Sequence, residues 1–230
     1  MKVKIVKESK KRKISKDIKK VITKAIGNIL TPKWKKGKSL LKRVKNKKGE
    51  GYDVAQSWMN AIIKSRLKSE GFGAEVAPFR KNRPETMRPR KGNGINQAID
   101  FEKYCKGKKR HVIEVECGNV ASLYRSIHKI CMAMKEDPET IGVIIVPDKK
   151  LIGRCDSAGT MSSSENALLI LSEMAYYNRS VREINVIEFS SDKEINIASL
   201  KANSKFWKGN WSKEKGIYLD KNISKFLKSE

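Results

Sequence analysis

The chain has 230 residues and a mass of 26.1 kDa, with 51 Lys and Arg against 25 Asp and Glu, a formal charge of +26. Its apolar fraction of 39% is too high for a disordered polycation, and no uninterrupted apolar run reaches the ~18 residues of a membrane span. Residues 1–24 mix lysine throughout and offer no apolar signal-peptide core, so the expectation is a soluble, cytoplasmic, nucleoid-associated protein with no membrane partner. Cys105, Cys117, Cys131 and Cys155 lack CxxC spacing and histidine partners at zinc-finger offsets, which argues against a structural zinc site or a disulfide framework.

The charge is concentrated. Residues 1–50 carry 20 Lys and Arg against only Glu8, Asp17 and Glu50. Such a surface gains free energy from a phosphate backbone by releasing counterions, so a nucleic acid is the first expected partner. Residues 1–13 are expected to form a basic arm ahead of a single domain over 14–230. That domain would have its catalytic core at about 95–190 and a basic, aromatic C-terminal segment at 200–230.

Ile14, Ile18, Val21, Ile22, Ala25, Ile26 and Ile29 recur at helical spacing and predict an amphipathic helix, with Ser15 able to cap it. A lysine-rich connector follows over 31–50. Val54, Trp58, Ile62 and Leu67 then mark a second helix that Gly71 to Gly73 end. The run from Arg80 to Lys91 is basic but broken by Pro84 and Pro89, as an exposed loop would be. Ile99-Asp-Phe and His111-Val-Ile-Glu-Val-Glu read as two strands, with Asp100 at the end of the first. A helix follows with a stripe of Leu123, Ile127, Ile130 and Met134, which Asn119 can cap. Ile141 to Val146 has the continuous apolar character of a central strand. A helix over 167–177 and a strand over 184–189 complete an α/β pattern: a mixed central sheet with helices on both faces.

In so basic a chain the informative residues are acids on a strand that should be apolar. Glu114 and Glu116 leave the same face of their strand, and a hairpin with the preceding strand brings Asp100 to the same sheet end. Three converging carboxylates repel unless a divalent cation sits between them, which is the specification of a Mg²⁺ site for phosphodiester hydrolysis. The plain alternative is a half-exposed strand with glutamates turned to solvent.

Ala98-Ile-Asp-Phe-Glu-Lys, Val112-Ile-Glu-Val-Glu-Cys-Gly-Asn119, Tyr124-Arg-Ser-Ile-His-Lys129 and Ile144-Ile-Val-Pro147, in that order, resemble the active-site core of the BamHI-type restriction endonucleases. These belong to the PD-(D/E)xK nuclease superfamily, and Thr31-Pro-Lys-Trp34 adds a fainter family-like turn. The resemblance implies that Asp100 and Glu114 bind the metal and that the Val115 carbonyl points at it. Glu116 would stand where most of the superfamily has lysine, as metal ligand or general base. It makes Glu75 the additional upstream carboxylate, with Glu85 as rival. It further implies a homodimer that cuts palindromic, GATC-centred duplex DNA to leave 5′ overhangs, alongside a cognate methyltransferase.

Asn119, Ala121, Ser122 and Arg125 would then meet DNA at the start of the helix. Arg154 and Asp156 would lie on a second base-reading loop. Asn pairs bidentately with adenine and Arg with guanine, while capping is the competing role for Asn119. His111 and His128 are expected to be structural. Two other functions compete: a non-catalytic nucleic-acid-binding protein, and a structure-selective nuclease such as a junction resolvase. A binder gains nothing from clustered acid where phosphate docks, and resolvases usually have lysine where Glu116 stands.

Overall fold

The computed structural model describes residues 1–27, 29, 31–33, 56–76, 98–105, 109–153, 162–190 and 194–196. In chain order the elements are β1 (Lys2–Lys7), α1 (Lys16–Gly27), β2 (Thr31–Lys33), α2 (Gln56–Ser69) and β3 (Gly73–Val76). There follow β4 (Ile99–Tyr104), β5 (Arg110–Val115), α3 (Val120–Glu136), β6 (Ile141–Pro147), α4 (Lys149–Ile152) and α5 (Ser164–Tyr177). A 3-10 turn (Arg179–Glu183), β7 (Asn185–Ser190) and β8 (Glu194–Asn196) complete the set.

Six strands form a mixed sheet in the order β1-β7-β6-β5-β4-β3. The inner strands β5, β6 and β7 run parallel and are joined by helical crossovers, whereas β4 and β3 add an antiparallel margin on one side and β1 on the other. β2 and β8 pair parallel in a separate ribbon. Alternation along β6 divides the core. Ile141, Val143 and Ile145 pack with Ile18, Ile22, Ile26, Ile62 and Ile63 of α1 and α2. Ile144 and Val146 pack with Leu123, Ile127, Ile130, Ala167 and Leu171 of α3 and α5. The expected mixed sheet with helices on both faces is thus the observed fold.

Some boundaries differ from those read in the sequence. The N-terminal segment is not a free arm: residues 2–7 pair antiparallel with β7, and Met1 is buried. Lysine alternation had masked this strand, because Val3, Ile5 and an inward-turned Lys7, whose ammonium donates to the Ile184 carbonyl, supply its packing face. Segment 31–33 is a strand rather than connector, since it has β8 to pair with. Gly71, in the left-handed conformation (φ 79°), ends α2 as expected, but the chain continues directly into β3. α5 begins at Ser164, three residues before the expected start, with Ser163 as its cap.

Gly142 sets how closely α3 approaches the sheet. A Cβ there would meet Ile130 Cγ2 at 2.3 Å and Met134 Sδ at 3.0 Å. Only glycine lets this helix lie so tightly over β6 and β5. Arg110, fully buried at the start of β5, pairs with Glu102 across the hairpin at 3.0 Å and fixes the register of β4 on β5.

Candidate active site

That register, with Phe101 opposite Ile113, places Asp100 across from Glu114. Asp100 is the second residue of β4 rather than its last, and it still meets Glu114 because β5 runs back past it. The two acids lock each other's backbones. The Asp100 amide donates to Glu114 Oε1 at 3.1 Å, and the Val115 amide donates to Asp100 Oδ2 at 3.0 Å. Glu116 lies just past the end of β5; its amide donates to the Ile145 carbonyl at 2.9 Å. Its Oε1 accepts the Gly118 amide at 2.6 Å, a contact that leaves no room for a side chain, since a Cβ on Gly118 would stand 2.5 Å from that oxygen.

Helix α3 closes the site from behind with two residues that sequence reasoning missed. Ser126 Oγ lies 3.0 Å from Glu114 Oε2 and 2.9 Å from Glu116 Oε2. One turn on, Lys129 Nζ donates to Glu114 Oε2 at 2.6 Å and to the Ala98 carbonyl at 2.9 Å. From α2, in the other layer, Lys64 Nζ reaches Asp100 Oδ1 at 2.6 Å. A legible signal existed for α3, because Ser126 and Lys129 stand beside Leu123, Ile127 and Ile130 on the stripe that faces the core. Nothing in the sequence marks Lys64.

The electrostatics follow from burial. Glu114 is 2% exposed, and its pKa rises from 4.5 to about 7; desolvation is the largest cause, Asp100's charge adds to it, and Lys129 opposes it. Glu116 is also pushed up, by desolvation first, against the pull of the Ser126 and Gly118 hydrogen bonds. The single Ser126 hydroxyl hydrogen is shared between the two carboxyl groups, so it offsets the desolvation of each only in part.

Among the described residues no three acids, histidines or cysteines form a ready-made metal nest. The expected convergence of Asp100, Glu114 and Glu116 is therefore a linked network rather than an open cage, because each oxygen already faces an ammonium, hydroxyl or amide. The donor set nonetheless fits a hard divalent cation. Three carboxylates face two ammonium groups, and Asp100 holds the Glu114 pKa up by a repulsion that such a cation relieves.

The other expected site residues sort clearly. The pairs Ala74–Phe101 and Val76–Ile99 put the backbone of Glu75 opposite Asp100, next to the network. Glu85, Arg154 and Asp156 lie outside the described residues. Val115 ends β5, with its side chain buried in the α1/α2 core. Asn119 does cap α3: its Oδ1 accepts the Ser122 amide at 2.8 Å. Ala121 and Arg125 are exposed and Ser122 partly so, all on the first turns of α3; Arg125 Nη2 lies 3.4 Å from Ser122 Oγ. His111 is buried and structural, its Nε2 accepting the Ser15 amide at 3.3 Å, while His128 is exposed.

The same fold is found in a solved restriction endonuclease. The solved structure "Crystal structure of restriction endonuclease BGLII complexed with DNA 16-mer" superposes with a TM-score of 0.58 over 85% of this chain and 79% of that chain, at 16% identity. The family model "Restriction endonuclease BamHI" matches residues 1–204. The chain belongs to the BamHI restriction endonuclease family and is a type II site-specific deoxyribonuclease. No curated protein matches it.

Proposed function

We propose that this endonuclease is a Mg²⁺-dependent homodimer that cuts both strands of a palindromic, GATC-centred duplex site to leave 5′ overhangs. The observation that supports it most is the linked network of the partly buried Asp100 with the buried Glu114 and Glu116, in a chain of net charge +26.

Asp100 and Glu114, with the Val115 carbonyl, would hold the cation, and Glu75 would stand beside them. Mg²⁺ supplies, when bound, Lewis-acid polarisation of the phosphodiester and a lower pKa for water at the site. The chain's own residues do the rest. Lys129 and Ser126 hold Glu114 in place, and Gly118 holds Glu116. Burial raises the Glu116 pKa toward neutrality, where a carboxylate accepts a proton from water most effectively. The lysine surface holds the polyanion over the acids.

Base reading is assigned to the exposed start of α3, through Asn119, Ser122 and Arg125, and to Arg154 and Asp156; Ala121 offers a methyl contact at most. An Asn119 whose oxygen caps the helix still carries an amide nitrogen that can donate. A second copy of the chain fits the outer face of α5, where Leu168, Leu169, Tyr176 and Tyr177 form an exposed apolar stripe beside Tyr124 of α3. A cognate methyltransferase would protect the same site in the host.

The test is incubation with unmodified duplex DNA of mixed sequence, with and without Mg²⁺, followed by sequencing of every new end. Discrete Mg²⁺-dependent fragments sharing one palindrome are expected. Intact DNA with a salt-sensitive gel shift would return the protein to the class of binders.

A further inference from the structure

Each acid of the site is neutralised differently. Glu114 and Glu116 turn their oxygens inward, to Ser126, to main-chain amides and, for Glu114, to Lys129. The Lys129 ammonium is anchored twice, on Glu114 and on the Ala98 carbonyl, and its side chain is 9% exposed. Asp100 gives Oδ2 to the Val115 amide, but its Oδ1 faces only Lys64 among the described residues. Lys64 is 34% exposed, and among the described residues Asp100 is its one partner.

One lysine is therefore built in, and the other is held by a single ion pair at the solvent edge. With side chains 34% and 17% exposed, this pair stands in reach of solvent and is far weaker than a fully buried one, so a divalent ion can displace it. Displacing Lys129 would instead strand a buried charge and a buried carbonyl.

We propose that Lys64 is an exchangeable counter-ion: it neutralises Asp100 in the metal-free enzyme and leaves Asp100 Oδ1 when a divalent cation binds. Lys129 stays in place throughout. The inference rests on the metal-binding reading of Asp100. It adds that α2 supplies the ion which the metal must outcompete, so Lys64 sets the metal concentration at which the site fills.

The experiment is a Mn²⁺ titration of the DNA-free protein, with the free Mn²⁺ spectral signal as readout, so that no cutting is involved. Lys64→Met should tighten binding by roughly tenfold, from the lost ion pair and the lost like-charge repulsion. Lys64→Arg should bind as wild type, and Lys68→Met, which removes an equal charge from the exposed end of α2, should change affinity little. Asp100→Asn should abolish the site, and melting curves confirm that each variant is folded. Wild-type affinity or weaker in Lys64→Met, or equal tightening in Lys68→Met, overturns the exchange while leaving the metal site intact. A wild-type protein with no Mn²⁺ site removed by Asp100→Asn overturns the metal reading and the exchange together.

Discussion

Replacing Lys129 with Met keeps the length and apolar stem of the side chain and removes only its charge and donors. Breaking a buried ion pair from one side ordinarily costs ~3–5 kcal/mol, because the remaining charge is stranded. Glu114 has a way out. Its pKa already stands at about 7 with Lys129 present, and Lys129 is what opposes a further rise. Without it the carboxyl keeps a proton at pH 7, and the loss reduces to the two hydrogen bonds, about 1–3 kcal/mol.

The sign with pH is set by the same shift. A carboxyl whose folded pKa is raised contributes stability while protonated, and that contribution is lost as pH climbs from the unfolded value through the folded one. The variant's higher folded pKa carries this loss to higher pH, where the wild type, with Lys129 to pair the anion, has finished titrating. The gap between variant and wild type should therefore widen by about 1.4 kcal/mol per pH unit above pH 7 until the variant's own pKa is reached. Urea unfolding of the metal-free proteins at pH 6, 7 and 8 measures it. Cutting at pH 7 should fall at least ~100-fold, since a neutral Glu114 neither holds a cation nor orders its neighbours. A gap that does not change with pH would falsify the assignment of Lys129 as the partner that keeps Glu114 ionisable.

Gly118→Ala is expected to abolish cutting with a stability loss of only about 1–2 kcal/mol, because its Cβ would stand 2.5 Å from Glu116 Oε1 and drive that carboxylate off the amide; cleavage rate and melting temperature together check it. Gly142→Ala acts away from the acids and should destabilise the fold by roughly 1–3 kcal/mol through the clash with Ile130 on α3, and an unchanged denaturation midpoint would contradict the packing described. Leu169→Glu, at a position 70% exposed on α5, should leave the protein folded but shift its mass in light scattering from two chains to one; a persisting dimer would move the interface elsewhere.

The acids of the site were legible because their pattern contradicts their surroundings. Glu-Val-Glu on a strand between Ile113 and Cys117 places charge where a core strand should be apolar, and the hairpin rule then brings Asp100 within reach. The polar members of α3 were half legible. Ser126 and Lys129 fall beside an apolar stripe, but a helix face has soft edges, and only the packing shows that they point at Glu114 rather than at solvent. β1 was hidden because its sequence is Lys-Val-Lys-Ile-Val-Lys, which solvated charge imitates, and its pairing with β7 spans 179 residues from Lys7 to Val186 and 188 from Lys2 to Ser190. Lys64 left no trace, since its neighbours Ile62, Ile63 and Leu67 explain the helix without it and its partner comes from another element. Pairings over such separations are decided by sheet order, which local periodicity does not encode.

The site also shows which scale of electrostatics governs it. A formal charge of +26 on the whole chain acts to favour ionised carboxylates and lower their pKa values. Glu114 and Glu116 move the other way. The distant lysines are screened over a Debye length of about 8 Å at physiological salt, whereas desolvation acts on the carboxyl itself, and in both glutamates it is the largest cause of the shift. Burial under α3 thus separates two requirements that would otherwise conflict. The surface can be basic enough to hold DNA, while the carboxyls beneath α3 keep a raised proton affinity that the distant lysines do not cancel. That separation depends on α3 lying close over the strand ends, and hence on Gly142 and Gly118, the two positions among the described residues where the approach admits no side chain.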